Sequence, residues 1–170
     1  MLKLKRVLST IDAISKWAGY VVMFGTLVIT LFLTIEVVAR YVFNAPTLWA
    51  TESTSIAYGI MVLIAGAYVL LTGGHVNMDA LYNRLSPRRK AALDIFTSVF
   101  FFAFCVILLR NGIPLAIKAV VLQEHSQSAW GAPWWPTRIA IPIGASLILL
   151  QGLAKLIRDF HTVVTGSKLV

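Results

Sequence analysis

Four long stretches of this chain carry almost no charge, and that pattern restricts the fold more than any other feature. Trp17 to Ile35 runs 19 residues without a charged side chain, and Ser53 to Gly74 runs 22. Ala91 to Leu109 is interrupted only by Asp94, and Trp134 to Ala154 only by Arg138. About 20 residues at about 1.5 Å each cross a hydrocarbon layer of about 30 Å, so each stretch is long enough to span a bilayer once. Hydrophobic residues make up 58% of the 170 and charged residues only 13%. A water-soluble domain of this size has no interior large enough for so much apolar surface. The fold class that follows is all-α and integral to the membrane: one domain over residues 1–170, with four transmembrane helices and short interfacial helical segments.

The connections agree with that division. Asn44-Ala45-Pro46-Thr47 forms a turn between the first two spans, with Pro46 barring a continuous helix. Gly73-Gly74 closes the second span, and Leu85-Ser86-Pro87 opens the third with Ser86 at the cap and Pro87 in the first turn. Asn111-Gly112-Ile113-Pro114 is expected to interrupt the third span, with Leu115 to Leu122 continuing as an interfacial extension. Pro133 and Pro136 bracket Trp134-Trp135, an aromatic belt at the mouth of the fourth. The spans are expected at about 17–43, 48–73, 89–121 and 135–159. The first is too long for a signal-peptide core and is expected to stay as an anchor.

Net charge is +8, but the basic residues sit at the edges of the apolar runs, not on one amphipathic face, which speaks against nucleic acid. They report topology instead. With both termini in the cytoplasm, eleven of the fifteen Lys and Arg residues fall inside: Lys3, Lys5, Arg6, Lys16, Arg84, Arg88, Arg89, Lys90, Lys155, Arg158 and Lys168. Arg40, Arg110, Lys118 and Arg138 fall outside. The positive-inside rule therefore orients the chain with both ends in.

Few residues invite chemistry. Glu36 and Arg40 stand one helical turn apart on one face, about 28 Å beyond Trp17 and so near the outer interface. Intramembrane carboxylates are candidates for ion or proton relays. The alternative is a self-neutralising structural pair, and it is favoured, because an adjacent guanidinium holds a carboxylate ionised and makes it a poor proton carrier. His75, His125 and His161 fall at span ends or in loops, where they cannot face one another across a haem. Cys105 is a lone thiol in the run Phe100-Phe101-Phe102-Ala103-Phe104-Cys105, with no disulfide partner and no surrounding metal-ligand set. Neither a phosphate loop nor a Ser/His/Asp constellation stands out, so an enzyme is not expected. Thr51, Ser55 and Gly59 recur every fourth residue, as do Ala140 and Gly144. Such stripes let helices approach closely.

Several segments, in order, carry a family resemblance. They are Glu36-Val37-Val38-Ala39-Arg40-Tyr41-Val42-Phe43-Asn44, then Trp49-Ala50-Thr51-Glu52, then Gly74-His75-Val76-Asn77-Met78-Asp79. Gln123-Glu124 follows, with Ser126, Ser128 and Trp130 to Pro136. Over about Ala13 to Asp159 this resembles the small membrane subunit, the Q or DctQ-like subunit, of tripartite ATP-independent periplasmic (TRAP) transporters. The chain departs from the pattern after Trp49, where a single acid, Glu52, stands in place of two.

The resemblance implies a non-catalytic subunit in the bacterial inner membrane. It would scaffold a large membrane subunit that uses the sodium gradient for organic-acid uptake, and would help dock a periplasmic substrate-binding protein. It implies no cofactor in this chain, and partners limited to those two subunits and membrane lipids. Structural or subunit-interface roles would fall to Glu36, Arg40, Tyr41, Asn44, Trp49, Glu52 and Gly59. Docking would fall to Glu124, Ser126, Ser128, Trp130 and Trp134, since exposed tryptophans are costly without a partner. The competing reading is a self-contained small multidrug-type proton antiporter with Glu36 as its coupling site. Against it, such a site wants an unpaired carboxylate at mid-membrane. A transporter core also usually needs paired broken helices at the midplane, whereas here a break is expected in one span only and near one face.

Overall fold

A computed structural model describes residues 2–74 and 86–166. His75 to Asp79 of the family segment, Arg84, Leu85 and Lys168 lie outside the described residues. Among those described are four α-helices: α1 (Leu2–Tyr41), α2 (Leu48–Thr72), α3 (Pro87–Val121) and α4 (Trp135–Thr165). All four are long and apolar enough to cross a membrane. The β pairing among the described residues is an isolated bridge between His125 and Pro133.

The helices run up, down, up and down, so that the start of α1, the end of α2, the start of α3 and the end of α4 share what we call the terminal end. The α1–α2 turn and the α3–α4 loop share the other, the loop end. They do not close into a four-helix bundle. α1 packs on α2, α2 on α4 and α4 on α3, with a weaker contact between α1 and α4, which makes a row with α4 as its hub. Small residues make that hub possible. Ala140, Gly144, Ala145, Gly152 and Ala154 of α4 are all buried. Gly144 lies so close to α2 that a Cβ there would stand 2.4 Å from the Leu63 carbonyl oxygen. The other faces of the row stay apolar and open: Trp17, Phe24, Phe96 and Phe100 are all well exposed, as side chains bathed in lipid are.

The helix ends follow local chemistry. Asn44 takes a left-handed φ of 49°, Thr47 is extended as the cap of α2, and Gly73 ends α2 at φ 71°. Pro87 sits in the first turn of α3 behind Ser86, whose side chain forms no cap bond. Two features differ from the expectation. First, α3 is unbroken through 111–114. Pro114 forfeits one amide, but Gly112 packs closely on Ile141 of α4, and the extensive contact between α3 and α4 holds the helix continuous. Second, α1 begins at Leu2 rather than near Trp17. No Gly or Pro interrupts residues 2–16, and two polar side chains there, Asp12 and Ser15, have partners on α4.

Those partners form a polar layer at the terminal end. The Ser15 hydroxyl donates to Gln151 Oε1 at 2.8 Å, with both residues buried, and Gln151 Nε2 donates to Asp12 at 3.1 Å. Arg158 reaches the other Asp12 oxygen at 2.6 Å. On the far side of α4, the Lys155 ammonium bridges Asp94 of α3 (2.6 Å) and Asp159 (3.0 Å). Between this layer and the charges of the loop end, each helix is uncharged. Arg138 to Lys155 on α4 spans about 25 Å and Lys16 to Glu36 on α1 about 30 Å, close to the thickness of a hydrocarbon core.

Candidate functional site

The loop end gathers most of the residues singled out in the sequence. Glu36 is only 6% exposed, and both of its oxygens are engaged. Oε1 accepts from Arg40 Nε at 3.0 Å and Nη2 at 2.6 Å. Oε2 accepts from the Thr47 backbone N–H at 2.9 Å and from the Thr47 hydroxyl. Thr47 is the cap residue of α2, yet its side chain caps nothing in its own helix. It turns instead onto Glu36, so one carboxylate ties the last turns of α1 to the first residue of α2. A carboxylate with four donors on it is a staple. Thr47 is the member that sequence reasoning assigned to the turn alone; its signal was its place immediately before the apolar run, where Ser or Thr caps a helix.

The remaining residues of that group do not converge on Glu36. Tyr41 points outward at 77% exposure, and Asn44 makes the turn. Trp49 packs edge-on against Phe32 of α1, with ring centroids 5.8 Å apart. Gly59 allows α4 to approach, since a Cβ there would meet Thr137 at 3.1 Å. Glu52 Oε2 and the Thr137 hydroxyl are buried without a hydrogen-bond partner.

The loop of residues 122–134 is folded tightly despite having almost no regular structure. Trp134 N–H donates to the Glu124 carbonyl at 2.8 Å, and Ser126 N–H donates to Ala132 at 2.7 Å. The Ser128 hydroxyl oxygen accepts from the amides of Trp130 and Gly131, each at 3.2 Å, and Ser126 Oγ accepts from Ser128 N–H. Arg138 pairs with Glu124 at 3.3 Å and lies 6.0 Å from the Trp134 ring centre. Ser126 and Ser128 thus shape the loop, while Trp130 and Trp134 stay 44% and 40% exposed. Trp130 and Ala129 then share one open hollow with Pro46, Thr47, Leu48 and Trp49. The stapled turn and the folded loop are therefore two walls of a single surface.

No group of three or more His, Cys, Asp or Glu side chains among the described residues is placed to hold a metal. Of the described histidines, His125 lies in the loop and bonds the Gln123 carbonyl, while His161 lies at the terminal end beside Thr165. Those two cannot share a haem.

The family model for the DctQ component of tripartite ATP-independent periplasmic transporters matches residues 29–162. The chain belongs to the DctQ family. Membership makes it a TRAP transporter component rather than an enzyme, and a multi-pass protein of the bacterial inner membrane. The "C4-dicarboxylate TRAP transporter small permease protein DctQ" of Vibrio cholerae serotype O1 (strain ATCC 39315 / El Tor Inaba N16961) is 30% identical over 80 residues. That alignment covers 47% of this chain and spans about a third (34%) of the relative's length. In this DctQ-family chain, both the Glu36 staple and the loop lie within the matched region.

Proposed function

We propose that this chain is the small, non-catalytic subunit of a TRAP secondary transporter. It braces a large, sodium-coupled membrane subunit and helps dock a periplasmic substrate-binding protein during organic-acid uptake. The observation that carries this reading is the row of four helices, uncharged through the middle and apolar on its outer faces. A transport core needs a polar midplane site; an accessory scaffold needs apolar surface to lay against a partner. The sodium gradient is used by the large subunit, and this chain itself holds no cofactor. Glu36, Arg40, Tyr41, Asn44, Trp49, Glu52 and Gly59 serve the shape of the scaffold or its contact with the large subunit.

Orientation follows from charge. Among the described residues, nine Lys and Arg side chains lie at the terminal end and four toward the loop end. The terminal end therefore faces the cytoplasm and the loop end the periplasm, where a binding protein would dock. The hollow between Trp49 and Trp130, on the same end as a second hollow that includes Glu124, Ser126 and Trp134, has the exposed aromatic side chains that anchor protein interfaces. With purified transporter in liposomes, Trp130→Ala combined with Glu124→Ala is expected to raise the binding-protein concentration needed for half-maximal uptake about tenfold, or about 1.4 kcal/mol. Unchanged dependence on binding protein would remove the loop from the docking surface.

A further inference from the structure

A second feature lies at the terminal end, away from the loop-end surface. α2 and α3 both pack on α4 but barely on one another. The gap between them is a cleft of about 250 Å³, open on one side. Its lining is graded along the membrane normal. Deepest are Leu70, Phe101 and Gly152, with the Phe101 ring filling the space that a Cβ on Gly152 would take. A turn nearer the end come the hydroxyls of Thr97 and Ser98. At the mouth are Asp94, Lys155 and Asp159, in one bonded cluster.

We propose that this cleft binds one zwitterionic glycerophospholipid from the leaflet on the terminal side. The gradient matches the molecule that lies along the same axis, with its headgroup at the charged mouth, its glycerol level with the hydroxyls and its acyl chain against Leu70 and Phe101. The charges select the headgroup. The mouth presents both signs, an ammonium on Lys155 and carboxylates on Asp94 and Asp159, so a lipid carrying both a phosphate and an amine finds a counterpart for each. An anionic headgroup meets two carboxylates against one ammonium and is disfavoured. The volume admits the head and the start of a chain, and the rest leaves through the open side into the bilayer.

The test is native mass spectrometry of the full-length chain, extracted in mild detergent with the membrane subunit that accompanies it. One phosphatidylethanolamine per chain is expected to survive. In equimolar competition it should outcompete phosphatidylglycerol about tenfold. Leu70→Trp, which fills the deep end, should abolish the adduct. Asp159→Asn, which removes one carboxylate but keeps the bulk, should shift the preference toward phosphatidylglycerol. Four results would overturn the proposal: no adduct on the native chain, equal retention of the two lipids, an adduct indifferent to both substitutions, or an adduct on the isolated chain that vanishes when the large subunit is present. The last would mean that the partner fills the cleft.

Discussion

Glu36→Ala is expected to be far more damaging than Arg40→Ala, although the two residues form one ion pair. The reason lies in what else the carboxylate holds. Arg40 is half exposed, with 51% of its side chain accessible, so water replaces much of what it loses when Glu36 goes. Thr47 has no such recourse: its amide and hydroxyl both donate to Glu36, and the register of α2 against α1 depends on them. Removing the acceptor leaves a half-buried amide and hydroxyl without their partner at the start of a membrane helix. Glu36→Ala should therefore lower the unfolding midpoint in mixed micelles by several degrees, while Arg40→Ala barely moves it. In a double-mutant cycle, Glu36→Gln with Arg40→Gln should recover little of the loss, because water already serves Arg40 and the Thr47 bonds to a carboxylate are not restored. A relay role for Glu36 predicts the reverse, a Glu36→Gln chain that assembles normally yet abolishes coupled uptake.

Gly144→Ala should produce the second large loss, and the contrast with Gly66→Ala makes it diagnostic. A Cβ at 144 would stand 2.4 Å from the Leu63 oxygen and 2.8 Å from its carbonyl carbon, which are backbone atoms that move only if α2 moves. A Cβ at 66 meets only the Ile148 side chain, Cδ1 at 2.4 Å and Cγ1 at 2.9 Å, and a side chain gives way more readily than a backbone carbonyl. Overpacking costs about 1–3 kcal/mol, while replacing glycine by alanine in a helix returns up to about 1. Gly144→Ala is thus expected to cost about 2 kcal/mol and to loosen α4 from α2, whereas Gly66→Ala falls near zero. Equilibrium unfolding of the two variants in mixed micelles separates them. Equal effects would mean that the α2–α4 contact does not depend on close backbone approach.

The four helices and the turn at Asn44 to Thr47 were legible because apolar run length and proline chemistry are local signals. So was the Glu36–Arg40 pair, whose partners are one turn apart. Pro114 misled for a physical reason: the proline forfeits a single amide, and the packing of α3 on α4, a tertiary contact with no local signature, outweighs it. Thr47 was half visible, as a cap whose side chain then served another helix. The terminal polar layer was largely hidden, since of its bonds only that between Lys155 and Asp159 joins residues one turn apart. Asp94, Lys155 and Arg158 read as isolated charges or orientation markers, because Ser15 and Gln151 are 136 positions apart and Asp12 and Arg158 are 146 apart. No local pattern pairs them; only the packing of α1 and α3 on α4 does. That packing in turn rests on buried small residues, of which the sequence marked Ala140 and Gly144 but not Gly152.

The account stands most directly on whether this chain can move solute by itself. Liposomes carrying the chain alone, given an inward sodium gradient, a loaded binding protein and organic acid, should accumulate nothing above empty vesicles. Liposomes carrying the chain with its large membrane subunit should accumulate the acid in a sodium-dependent way. Robust uptake by the chain alone, driven by sodium or by protons, would contradict the scaffold reading and restore Glu36 as a coupling site.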